Sequence, residues 1–141
     1  MAFEQNLIAP CGMDCALCIG FQRKRDRCNG CRGNGTALTA ARARCVIRNC
    51  ATIRDSRSGY CYECERFPCA RLRQLDARYR GKYGMSMIEN LTFIRQNGMD
   101  AFLLWELERW TCQKCGRPVC VHRGRCTACG EPISPKAGPQ A

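Results

Sequence analysis

Two short motifs near the C-terminus carry the clearest chemistry in the sequence. They read Cys112-x2-Cys115-Gly116 and Cys126-x2-Cys129-Gly130. A CxxC pair followed by glycine is a knuckle: the tight turn aims both sulfurs to one side, and glycine supplies the positive φ that closes it. Two such knuckles complete a tetrahedral site of four thiolates, so Cys112, Cys115, Cys126 and Cys129 are expected to hold one zinc ion as a zinc ribbon. Ten residues separate Cys115 from Cys126, enough for a short hairpin. Cys120 and His122 fall inside it and alternate with Val119 and Val121 as along a strand. They read either as a replacement ligand and a reactive group or as packed residues, and packing is the expectation.

Ten more cysteines lie between residues 11 and 69. Cys15/Cys18, Cys28/Cys31 and Cys61/Cys64 are CxxC pairs, with Cys11 and Cys69 close by. These eight are candidate ligands for two further metal sites, and spacing alone leaves their pairing open. Cys45 and Cys50, with a longer spacing, read as core thiols. Together the groups predict about three zinc ions per chain. An iron–sulfur cluster on the N-terminal cysteines is the alternative, because thiolates bind either metal. Cys11-x3-Cys15-x2-Cys18 also has the spacing with which radical S-adenosylmethionine enzymes hold a cluster. Those enzymes need much of a β/α barrel, for which 141 residues without strand–helix alternation leave no room. The single histidine and the lack of paired carboxylates or a phosphate loop argue against hydrolytic chemistry.

The surroundings of these thiols point to metal rather than disulfide. The N-terminal residues have no basic region followed by an apolar run, and nothing later approaches the ~20 apolar residues of a membrane span. A reducing cytoplasm is therefore expected, and an odd total of 15 cysteines also fits a disulfide framework poorly. The net charge is +11, all of it within residues 19–82, which hold 16 Lys and Arg against 5 Asp and Glu. Each four-thiolate zinc site carries a charge of −2, so three sites would absorb about half of the excess. The remaining charge fits an acidic protein partner, or weak and unspecific nucleic-acid binding, through an arginine-rich face over residues 66–82.

The elements that must position the sites are mostly helical. Residues 69–80 place Leu72, Leu75 and Tyr79 on one face, with Gly81 and Gly84 ending the helix. Ser86-x-x-Glu89 is a capping box before a second helix with Met87, Leu91 and Ile94 inward and Gly98 closing it. Asp100 is expected to cap a third, whose Phe102, Leu103, Leu104, Trp105, Leu107 and Trp110 form a broad apolar surface. Short helical pieces with Val46 and Ile47 inward are expected over residues 36–50. The fold class expected is a small metal-stapled α+β or irregular chain. It comprises a cysteine-rich lobe (1–69), a helical middle (70–110), a zinc ribbon (111–130) and a disordered tail (131–141).

The segments CGMDCALCIGF (11–21), CNGC (28–31), CVIRNCA (45–51), CYECERFPCARL (61–72), SMIENL (86–91) and WTCQKCGRPVCVHRGRCTACG (110–130) resemble the cysteine-rich family known as domain of unknown function 3795. The resemblance implies a metal-binding domain with a helical middle. It carries no activity with it.

Overall fold

The computed structural model describes residues 3–23, 28, 45, 47 and 49–132. Five helices appear among them: α1 (Ile19–Gln22), α2 (Ala51–Arg54), α3 (Ala70–Tyr83), α4 (Met87–Asn97) and α5 (Met99–Trp110). Three 3-10 turns precede or interleave them, at Gln5–Leu7, Cys15–Leu17 and Cys61–Glu63. Extended pairing among the described residues is confined to isolated bridges, three of which lie in the C-terminal segment: Thr111 with Pro118, Cys120 with Arg125, and Arg125 with Pro132. The molecule is thus mostly helical, with few paired residues and a cysteine cluster at its C-terminal end. Residues 29–44, 46 and 48, which include Cys31, Val46 and most of the 36–50 segment, lie outside the described residues, as do 133–141.

The three long helices follow the apolar pattern with some differences. Helix α3 buries Leu72 and Tyr79 and continues through Gly81 to Tyr83, where Gly84 takes the left-handed conformation. Gly81 is exposed and meets nothing on either side, so the helix passes it at a modest propensity cost. The hydroxyl of Ser86 accepts from the Glu89 amide and caps α4. A second acceptor comes from elsewhere: Asp76 of α3 is buried, accepts from the Ile88 amide at 3.0 Å and takes the Ser86 hydroxyl at 2.6 Å. That carboxylate ties α3 to the start of α4 and also pairs with Arg80 at 2.8 Å. Helix α5 starts one residue before the expected cap. Gly98, at φ +91°, both ends α4 and precedes α5, and Asp100 falls in the first turn. Phe102, Leu103 and Trp110 are buried, whereas Leu104 points outward at 61% exposure.

The loop bearing the first cysteines is pressed onto α4. Gly12 has φ +94°, and a Cβ there would stand 2.9 Å from the Met87 carbonyl oxygen and 3.0 Å from Leu91. Asn90 donates to the Gly12 carbonyl at 3.0 Å. The next residues add a buried polar group. Asp14 and Glu106 are fully buried, with Arg109 beside Glu106 at 3.9 Å. Burial raises the Asp14 carboxyl to about 7. Burial, then the neighbouring Asp14 charge, raises Glu106 well above the usual range, against the pull of Arg109. Burial therefore favours the protonated form of Glu106.

The C-terminal segment docks on the same loop. The Val121 amide donates to Leu17 at 3.0 Å, and the Gln22 side chain donates to the carbonyls of Ala16 and Val119 at 2.8 Å each. Thr127 completes the seam by donating to Gln22 Oε1 at 2.8 Å. No helix among the described residues is long and apolar enough to cross a membrane.

Candidate metal centre

The C-terminal segment repeats one backbone turn three times. At Cys112 the amide donates to the Arg117 carbonyl, and the Gly116 amide donates back to the Cys112 carbonyl, both at 2.8 Å. Cys126 makes the same pair with Glu131 and Gly130, at 2.9 and 2.8 Å. Gly116 and Gly130 have φ of +76° and +83°, as a CxxC-Gly knuckle requires. Cys120 makes the pair again, with Arg125 and Gly124 at 3.0 Å each, and Gly124 has φ +67°. This middle turn reads Cys120-Val121-His122-Arg123-Gly124, so Arg123 stands where the second cysteine of a knuckle would be.

The outer two turns bring four sulfurs together. The Sγ atoms of Cys112, Cys115, Cys126 and Cys129 all lie within 4.8 Å of one another. Cys112 approaches Cys129, and Cys115 approaches Cys126, at 3.5 Å each. Thiolates at about 2.3 Å from a shared tetrahedral ion stand about 3.8 Å apart, so the spacing fits one ion at the centre. Cys112 and Cys126 are buried, and Cys115 and Cys129 are exposed. The group could hold a metal ion, and it is the one such group among the described residues.

Electrostatics favour the same reading. The Cys115 and Lys114 amides point at the Cys112 sulfur and hold its thiol down at about 7, with Cys129 and Cys115 adding to the pull. At Cys129 the Glu131 amide pulls down, but burial and the Cys112, Cys115 and Cys126 sulfurs prevail and push the thiol up to about 12. Cys115 is raised as well, by Cys126, burial and Cys112 against the Arg117 amide. One thiolate is therefore easy to form here and further ones repel it. A cation at the centre removes that repulsion.

Cys120 and His122 stand outside the four-sulfur group. Cys120 is wholly buried, and burial raises its thiol against the amides of Arg123 and His122, with the Cys18 sulfur adding to the rise. The strand-like alternation expected here is absent, because Val119, Cys120 and Val121 are all buried and residues 121–124 form a turn. His122 acts as a tether. Its Nδ1 accepts from the Ile19 amide at 3.2 Å, which places the ring proton on Nε2, 2.8 Å from the Tyr79 hydroxyl. Tyr79 and Tyr83 meet the imidazole edge-on.

The N-terminal thiols fall into two neighbourhoods, and no described cysteine is in a disulfide. Cys18 and Cys28 flank Gly20: a Cβ there would stand 3.5 Å from Cys18 Sγ and from Cys28 Cβ. Cys120 reaches this group from the C-terminal segment. Cys15, also buried, begins the 3-10 turn that leads into Cys18. The second neighbourhood surrounds Cys61, whose thiol is pushed up to about 12 by burial and then by Cys11, Cys69, Cys50 and Cys64. Cys50 thus sits among the ligand candidates although its spacing reads as a core thiol. Its thiol is lowered, first by the Ile53 amide, with Arg71 contributing. Cys45 packs at the edge of the core. Their neighbours, Cys61 for Cys50 and Cys18 for Cys120, are not legible in the sequence, since each approach depends on contacts between distant segments.

No curated protein and no solved structure matches the chain. A family match covers residues 7–74, the segment that holds the N-terminal thiols, while residues 86–91 and 110–130, included in the resemblance, lie beyond it. Residues 7–74 match the family described as "Protein of unknown function (DUF3795)", the one that the cysteine spacings resemble.

Proposed function

We propose that this is a zinc-stapled interaction module. One zinc ion binds Cys112, Cys115, Cys126 and Cys129 in a ribbon-like site, and the N-terminal thiols supply further sites, giving about three metal sites per chain. The observation that carries the reading is the convergence of four sulfurs, all within 4.8 Å, on two identical CxxC-Gly turns. Four protein ligands leave a zinc ion no open position, so its role is structural. Ion binding then adds to folding free energy in a segment with few apolar residues of its own.

The interaction face is the basic side of α3 and the turn before it. Arg66, Arg71, Arg73, Arg78 and Lys82 are all exposed. This surface suits an acidic protein partner. Binding to nucleic acid through the same residues would be weak, unselective and steeply dependent on salt. Cobalt substitution tests the site: the full chain loaded with cobalt should show the absorption of tetrahedral thiolate coordination. Replacing Cys112 or Cys126 by serine should remove that component. A cobalt spectrum unchanged by both replacements would refute the ligand set.

A further inference from the structure

The second thiol neighbourhood is built around a cavity. Cys50, Cys61, Cys64 and Cys69 line a cleft of about 250 Å³. The same walls carry Arg66 and Arg71. Apolar side chains, among them Ile53, Phe67 and Leu72, fill the remaining wall. Four thiols from three separate turns thus face one space, with cationic side chains beside it.

The spacing of these sulfurs differs from that of the C-terminal group. Among the described residues, the C-terminal four are the one group placed closely enough to share a single metal ion. A single tetrahedral ion needs sulfurs about 3.8 Å apart. Four thiols that line an open cleft without closing on one point suit an occupant with a core of its own. An iron–sulfur cluster has one, because irons and bridging sulfides stand between the ligating thiolates. Such a cluster with four thiolates carries net negative charge, which Arg66 and Arg71 would offset, and the apolar wall would shield it from water.

We infer that this cleft is a binding site for an iron–sulfur cluster ligated by Cys50, Cys61, Cys64 and Cys69. Cys11 neighbours Cys61 but does not line the cleft, and the proposed ligand set is the four thiols that do. The assignment is independent of zinc at the C-terminal site.

Anaerobic reconstitution of the full chain with ferric iron, a thiol reductant and sulfide tests it. Iron and acid-labile sulfide should bind in equal amounts and give a brown protein. Cys50→Ser and Cys61→Ser should each lose the bound iron, whereas Cys11→Ser and Cys112→Ser should keep it. Zinc measured in the same samples should fall with Cys112→Ser but hold in Cys50→Ser and Cys61→Ser, which separates failure at this site from failure at the C-terminal one. A wild-type chain that takes up no iron and sulfide overturns the proposal whether or not any variant folds. Iron retained in Cys50→Ser but lost in Cys11→Ser would overturn the ligand set.

Discussion

The buried pair Asp14 and Glu106 makes folding depend on pH in a direction opposite to that of most carboxylates. Glu106 is fully buried and its carboxyl is raised well above the 4.5 of a free glutamate. The unfolded chain releases that proton above about pH 4.5, whereas the folded chain retains it. A raised folded value contributes stability that is complete below the unfolded value and is lost as pH rises. With one proton retained, the loss is about 1.4 kcal/mol for each pH unit. Glu106→Gln keeps the shape and neutrality of the protonated acid. The variant should therefore gain on the wild type as pH rises from 6 towards 8, by at most about 1.4 kcal/mol per unit while the folded carboxyl keeps its proton. Urea unfolding of the metal-loaded, reduced proteins across that range measures the gap, and any pH dependence of metal release is common to both. A gap that stays constant with pH would mean that Glu106 is ionised in the fold, and the reasoning would fail.

Other expectations follow from single contacts. Gly12→Ala should destabilise the chain by about 2–3 kcal/mol in the same assay, because a Cβ at φ +94° would meet the Met87 carbonyl at 2.9 Å. Cys120→Ser and His122→Ala should leave the cobalt spectrum of the C-terminal site intact, since neither side chain belongs to the four-sulfur group. Zinc binding at pH 8 should release at least two protons from this site, because the Cys115 and Cys129 thiols are raised while Cys112 is held near 7. Calorimetry in buffers of different ionisation heat counts those protons, and a value below one would contradict the charge description.

What could be read from the sequence was what is encoded locally. The CxxC-Gly knuckles, the Ser86 cap and the apolar stripe of Leu72 and Tyr79 each depend on residues a few positions apart, and all three are present. Contacts between distant segments were hidden. Nothing in the sequence around Asp76 marks it as buried, yet it lies under the start of α4. Cys50 joins the Cys61 neighbourhood only because α2 packs there, and Cys120 faces Cys18 across the two ends of the chain. The middle turn around Cys120 had one visible signal, a cysteine followed at the knuckle interval by Gly124. Arg123 in place of the second cysteine obscured it.

X-ray absorption at the zinc edge of the zinc-loaded full chain tests the central claim most directly. The account predicts a shell of sulfur alone, four per zinc at about 2.3 Å. A nitrogen or oxygen contribution at about 2.0–2.1 Å would place His122, a carboxylate or water on the metal and contradict the four-thiolate site.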